Sequence, residues 1–326
     1  MSFVSIISSP FQLLGLNEYL FQNKIKEYKL IVLVYNKKEK EQVINVSNFL
    51  SLKIENLIIG KRALQYLLIK KIFSDVSFAQ ELIIGNFFSD THLYASNILR
   101  YEKLIVLDDG INSTLISDFI GTNNRVLKNN LIRQLFFYFF SINVDYPKKI
   151  ILFTFFRNLK KNKLIEIKRN LFNDLKKQIL DFEITDEILF IGQPFIEIKL
   201  MDRNQYFKYL KKIKRLFPNF KYVPSRKENT DNLKYIKDTL NIDILKTNIN
   251  IELYFLINKK LPQYIFGFTS TALLILNHIY NSKENLINIK SIKAKFKNGR
   301  LSKEIVEIYY ERIRYSGIQI IDYDKF

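Results

Sequence analysis

Cysteine and tryptophan are absent from the 326 residues, and histidine is confined to His92 and His278. Without thiols there is neither a disulfide framework nor thiolate metal ligation, and a reducing compartment is compatible. Two histidines so far apart also argue against a clustered zinc site, so no metal ligands are assigned. Glycine is scarce as well: with nine in the chain, neither a Gly-x-Gly-x-x-Gly fingerprint nor a P-loop can be assembled. The opening Met1-Ser2-Phe3-Val4-Ser5 has no basic segment of the kind that starts a signal peptide. No uncharged apolar run approaches the ~20 residues a membrane span needs. The nearest is Gln134–Val144, which is too short. Helix-turn-helix, paired-aromatic and basic-heptad signatures are missing too, which sets nucleic acid aside.

What the chain does have is positive charge, a formal +19. That points to an anionic partner, either a phosphorylated substrate or an anionic lipid surface. The abundance of Lys, Asn and Ile has the flavour of codon bias, which weakens any inference from the total alone. Within Tyr146–Lys177, however, Arg157, Lys160, Lys161, Lys163, Lys168 and Arg169 lie among aromatic residues. Two readings stand side by side: a peripheral contact with the inner face of the cytoplasmic membrane, or core aromatics beneath a solvated charged face.

Short apolar runs alternate with helical patterns from the first residues onward. Strands are expected at Phe3–Ser8, Leu30–Tyr35, Leu57–Ile59, Glu81–Gly85 and Leu104–Leu107, with helices between them. Ser9-Pro10 reads as a helix start, with Ser as the cap and Pro at the first turn. Asn123–Lys177 is read as helices joining two domains. The alternation restarts at Glu187–Gly192 and continues through Phe220–Val223, Tyr264–Phe268, Asn285–Ile289 and Ile318–Asp322. The fold class is α/β, with two Rossmann-like domains, 1–180 and 181–326, facing each other across a cleft. Whether the chain forms a homodimer is left open.

Every polar group of interest falls just after an expected strand, where open α/β sheets bind ligands. In the first half these are Ser8-Ser9 with Gln12, then Asn86, then Asp108-Asp109 before Gly110. In the second they are Gln193-Pro194, Pro224-Ser225-Arg226 and Thr269-Ser270-Thr271. Each has an ordinary reading as well: Asp-Asp-Gly as a solvated turn, Ser270 as a helix cap, and Arg226 with Lys227 as an exposed loop. Their functional reading is a general base at Asp108 or Asp109 and an anion site at Ser270 and Thr271 on a helix N-terminus. Strand alternation sends Asp108 and Asp109 to opposite sides, so the preference for Asp108 is slight. His92 lies about one loop beyond Asn86 and within reach of the same edge.

Taken in order, Ser-Ser-Pro-Phe-Gln-Leu-Leu (8–14), Leu-Asp-Asp-Gly (107–110), Phe-Ile-Gly-Gln-Pro-Phe-Ile-Glu (190–197), Lys-Tyr-Val-Pro-Ser-Arg-Lys-Glu-Asn (221–229) and Gly-Phe-Thr-Ser-Thr-Ala-Leu-Leu (267–274) resemble the bacterial sialyltransferases of lipooligosaccharide and capsule synthesis, glycosyltransferase family 52. The resemblance spans nearly the whole chain, although each motif is short. It implies a GT-B fold, a CMP-sialic acid donor, a terminal sugar of a surface glycan as acceptor, and inverting transfer with no metal or other cofactor. It further implies that an Asp of the 108–109 pair is the base, that Ser270 and Thr271 hold the donor phosphate, and that the segment from Gln193 meets the nucleotide. One departure stands out: Ser225 occupies the position where the family carries a catalytic His. That leaves two alternatives: a transferase using another nucleotide sugar, or a catalytically weak nucleotide- or glycan-binding relative.

Overall fold

A computed structural model describes residues 3–110, 112–121, 137–179, 182–281, 287–296 and 303–323. The chain divides into two compact units, Met1–Asn173 and Asp174–Phe326.

In the first unit, seven strands form one parallel sheet: β1 (Phe3–Ile7), β2 (Lys29–Val34), β3 (Asn56–Ile59), β4 (Ala79–Ile84), β5 (Tyr101–Leu107), β6 (Ile150–Thr154) and β7 (Ile165–Arg169). Their order is β3-β2-β1-β4-β5-β6-β7, so the direction of winding reverses between β1 and β4. Because helical crossovers cover both faces, the central strands end in apolar runs, Ile6–Ile7 in β1, Leu82–Ile84 in β4 and Leu104–Leu107 in β5. Ile105, Val106 and Leu107 of β5 are completely enclosed, as are Ile6 and Ile7 of β1. Helices α1 (Pro10–Gln22), α2 (Lys37–Phe49), α3 (Arg62–Ser74) and α4 (Asp90–Ile98) make the crossovers, and α5 (Ile116–Phe119) is a short turn after β5. The expected start of α1 is observed: Ser9 is extended, Pro10 opens the helix, and the Ser9 hydroxyl accepts a hydrogen bond from the Gln12 amide.

The helical reading of 123–177 agrees with the structure at 137–139 and Asn173–Lys177 but is overturned at Ile150–Thr154 and Ile165–Arg169; residues 122–136 lie outside the described set. Two further strands, β6 and β7, extend the sheet instead. Leu164, Ile167 and Leu171 have helical spacing, but Ile165 and Ile167 alternate with Glu166 and Lys168, and the period-two pattern prevails on this edge strand. Asn162 sets the entry, its side-chain oxygen accepting from the Leu164 amide at 2.9 Å.

The second unit repeats the plan. A short α6 (Asn173–Lys177) leads into β8 (Glu183–Ile191), α7 (Arg203–Leu216), β9 (Lys221–Val223), α8 (Thr230–Asp238), β10 (Asp243–Ile244), α9 (Ile251–Asn258), β11 (Lys260–Gly267), α10 (Thr271–Tyr280), β12 (Asn288–Lys293), α11 (Lys303–Tyr315) and β13 (Gln319–Asp322). The sheet order β10-β9-β8-β11-β12-β13 is again parallel, with its reversal between β8 and β11. Its core is unusually aromatic, with Phe190, Tyr222, Phe266 and Phe268 packed against Tyr206 and Tyr209 of α7. Neither β10 nor α9 has a counterpart in the sequence reading.

Candidate functional site

In the first unit the polar residues converge at the winding reversal. Gln12, on the first turn of α1, is 1% exposed, so its amide must find partners. The Gln12 Oε1 accepts from the Ser8 amide at 2.8 Å and from the Ser8 hydroxyl at 3.2 Å. That orientation turns Nε2 toward Asp109, to which it donates at 2.7 Å. From the end of β4, Asn86 Nδ2 donates to the other oxygen of Asp109. Its own Oδ1 accepts from the Phe88 amide at 2.7 Å, which fixes the amide's direction. Gly85 makes the crossing possible, because a Cβ there would lie 2.1 Å from Gln12 Oε1. Asp109 is thus a half-buried carboxylate with an amide donor on each oxygen, while its backbone N–H donates to Ser113 Oγ at 2.8 Å.

Asp108 turns the other way. It is 4% exposed and accepts from the Phe155 amide at 2.9 Å. Burial pushes its carboxyl up to about 7, against the hydrogen bonds from Thr154, Phe155 and Ser113. Enclosure sets Asp108 apart from Asp109, which is half-exposed at the same strand end. His92 is likewise completely buried. Burial lowers it to about 3, so it is neutral, and its Nδ1 accepts from the Asn86 amide at 3.0 Å. Its place is behind Asn86 rather than at a substrate surface.

The second unit has its own constellation. Gln193, directly after β8, reaches across the winding reversal and donates from Nε2 to the Thr269 carbonyl at 2.8 Å. Ser270 caps α10 by accepting from the Ala272 amide at 3.2 Å, and Thr271 is half-exposed at the start of that helix. Pro194 is half-buried beside Gln193. On the far side of β8, the turn after β9 carries half-buried Ser225 and exposed Arg226. Strands β9 and β11 both flank β8, so the two groups follow strands one removed from each other in the sheet. The Ser225 amide is held by Glu228 at 2.8 Å, a partner the sequence reading did not single out. Ser113, Gly85 and Glu228 were missed because each acts through contacts with other elements that spacing does not encode. Among the described residues, no group of three or more acidic or His side chains is placed to hold a metal ion.

No family model and no curated protein matches the sequence. Solved structures match over nearly its whole length. The UDP-GlcNAc 2-epimerase from Neisseria meningitidis, bound to UDP-GlcNAc, aligns with a TM-score of 0.55 at 9% identity, covering 98% of this chain and 95% of that one. The S. aureus MnaA–UDP co-structure gives 0.54 at 10% identity, with 90% and 79% covered. The GT-B domain of a Photobacterium damselae sialyltransferase gives 0.48 at 12% identity, with 99% and 100% covered. At these identities the likeness is one of fold. The chain has the GT-B fold, built from two parallel Rossmann-like α/β units.

Proposed function

We propose that the protein is an enzyme acting on a nucleotide-linked sugar, and that it moves sialic acid or a related nonulosonic acid from a CMP donor to a terminal sugar of a surface glycan. The observation that carries this reading is Asp109: a half-buried carboxylate at the carboxyl edge of a parallel sheet, its two oxygens held by Gln12 and Asn86. In the reaction, the acceptor hydroxyl gives its proton to Asp109 as its oxygen attacks the anomeric carbon. The bond from that carbon to the phosphate oxygen breaks, and CMP departs with the electron pair. Transfer of this kind inverts the anomeric centre, and a positioned base contributes about 10²–10⁴-fold.

On the donor side, Ser270 and Thr271 at the N-terminus of α10 offer hydroxyls and the positive end of the helix dipole to the phosphate. Ser225 and Arg226 add a hydroxyl and a cation, and Gln193 with Pro194 borders the nucleotide. One phosphate can be stabilised by these groups alone, so the reading calls for no metal. A second reading, a UDP-linked sugar, is favoured by the UDP and UDP-GlcNAc held in the Neisseria and S. aureus relatives. Thermal-shift titration with CMP, UDP and GDP separates the two, followed by turnover of the sugar carried by the stabilising nucleotide. Stabilisation by CMP and consumption of CMP-sialic acid are expected. Preference for UDP would move the protein to the second reading, and binding without turnover would make it a nucleotide-binding relative.

A further inference from the structure

Behind the proposed donor site runs a buried chain of hydrogen bonds that no part of the mechanism above uses. Glu228, on the turn after β9, accepts from the Ser225 amide at 2.8 Å with one oxygen and from the Tyr222 hydroxyl at 2.7 Å with the other. The Tyr222 hydroxyl lies 2.7 Å from that of Tyr206, and Tyr206 in turn accepts from the Gln193 amide at 3.1 Å. One carboxyl group therefore connects Ser225 to Gln193 through two fully buried tyrosines on different elements. The backbone leaves room for it. A Cβ at Gly192 would lie 2.3 Å from the Tyr222 hydroxyl and 2.7 Å from Glu228 Oε1.

We propose that Glu228 is a positioning residue of the nucleotide site: by clamping the Ser225 amide it holds the 224–229 turn at the height from which Ser225 and Arg226 meet the donor's phosphate. The proposal rests on the donor-site reading given above and adds a residue to it. A carboxyl group directly behind a phosphate site has a consequence for binding. Charged, it repels the phosphate; protonated, it does not. The groups facing it do little to hold the charge. Burial is the dominant influence and raises the carboxyl to about 7, opposed by the Ser225 amide and the Tyr222 hydroxyl, while Glu197 from the turn after β8 adds like charge. Tyr206 from α7 stands behind Tyr222, and Arg226 on the same turn directs its field at Glu252 of α9.

The test is calorimetric titration of CMP and of UDP at pH 6 and pH 8 with the wild type, Glu228→Gln and Glu228→Ala, together with hydrogen exchange of residues 224–229. Relative to Glu228→Gln, the wild type should bind about fivefold more weakly at pH 8, the scale of a like-charge repulsion at about 4 Å in a water-like medium. Glu228→Gln keeps an acceptor for the Ser225 amide and cannot ionise, so it should show only the pH dependence that titration of the nucleotide's own phosphate near pH 6 imposes. Glu228→Ala should lose at least about tenfold at both pH values, the scale of a removed hydrogen bond to a charged group, with faster exchange of the Ser225 amide. Wild-type affinity and exchange in Glu228→Ala, or a Glu228→Gln protein that keeps the full wild-type pH dependence, would overturn the role while leaving the donor site standing. If Glu228→Ala fails to fold, the pH dependence of Glu228→Gln decides alone. A wild type that binds neither nucleotide overturns the donor-site reading, and this role with it.

Discussion

Gln12 Nε2 donates to Asp109 Oδ1 at 2.7 Å, joining the first turn of α1 to the end of β5 across 97 positions of sequence. With Asn86 on the other oxygen, the contact removes rotational freedom from the Asp109 carboxylate before any substrate arrives. Alignment of this sort is what a general base needs.

Asp109→Asn should therefore lower turnover by two or more orders of magnitude while nucleotide affinity changes less than about threefold, since only the proton acceptor is lost. Asp108→Asn should stay within about tenfold of wild type, because an Asn oxygen can still accept from the Phe155 amide. Initial rates and nucleotide titrations of the two variants decide the matter. The reverse ranking would return the base to Asp108.

Gly85→Ala should be costly despite its small size. The new methyl group would meet Gln12 Oε1 at 2.1 Å, so either Gln12 or the β4 backbone must move. Overpacking of this kind costs about 1–3 kcal/mol. A lowered urea midpoint together with reduced turnover is expected. Stability and activity both at wild-type levels would mean that Gln12 does not hold the base.

The buried Asp108 makes stability depend on pH. Its folded value, about 7, lies above its usual 3.8, so between those limits the native state keeps a proton that the unfolded chain has released. Its contribution is full below about pH 4, falls as pH rises toward 7, and is flat above. His92, lowered to about 3, works in the opposite sense: its contribution is present above about pH 6.5 and lost as pH falls toward 3. Subtracting the two proteins isolates the carboxylate. The stability of the wild type relative to Asp108→Asn should decline from pH 4 to pH 7 in urea titrations, and a constant difference would show that Asp108 titrates normally.

Ser225→His places at this position the residue that the resemblance to the sialyltransferases implies. A charged imidazole donates a hydrogen bond roughly twice as strong as a neutral hydroxyl does, with the largest gain when charge develops on the leaving phosphate. The kcat with a CMP-sugar should rise while CMP affinity changes little. An unchanged or lower kcat with CMP still bound would mean that Ser225 does not face the leaving group.

The exposed aromatics of the first unit carry the membrane expectation. Tyr138 and Phe139 are 81% and 75% exposed, and among the described residues no helix is long and apolar enough to cross a bilayer. Lys160 pairs with Asp118 at 2.7 Å on the exposed surface, and Lys168 packs over the Tyr19 ring, so part of the basic stretch is engaged within the protein. Sedimentation with phosphatidylglycerol vesicles should show salt-sensitive binding that weakens when Tyr138 and Phe139 are both changed to Ser, and again when Arg157, Lys160 and Lys161 become Glu. Absence of binding at low salt would reduce the charge to a matter of composition.

Much of the architecture was legible because the central strands are buried on both faces and therefore read as short apolar runs. Helix α7, Arg203–Leu216, has apolar residues that recur at helical spacing, a pattern open to reading from sequence. Helix α9 was invisible for the opposite reason: Ile251–Asn258 is apolar almost all round and offers no periodicity. Of the residues that meet at the first unit's winding reversal, Gln12, Asn86 and Asp109 were singled out from their positions after strands. Which Asp faces solvent was not, since alternation separates the pair without saying which side is interior. Glu228 was not singled out within the 221–229 motif, because its burial depends on Tyr222 and Tyr206, whose hydroxyls come from a strand and a helix of the same unit.

Each sheet is assembled from one uninterrupted stretch of chain. Among the described residues, the first takes no strand from beyond Arg169 and the second takes none from before Glu183. Parallel strands are slow to pair, since every neighbour must wait for a crossover to be made. Here the waiting is local: once Arg169 has cleared the ribosome, all the pairing partners of the first sheet are present, and it can close while the second is still being translated. The Gln12–Asp109 contact can then be in place before Gln193 has been synthesised.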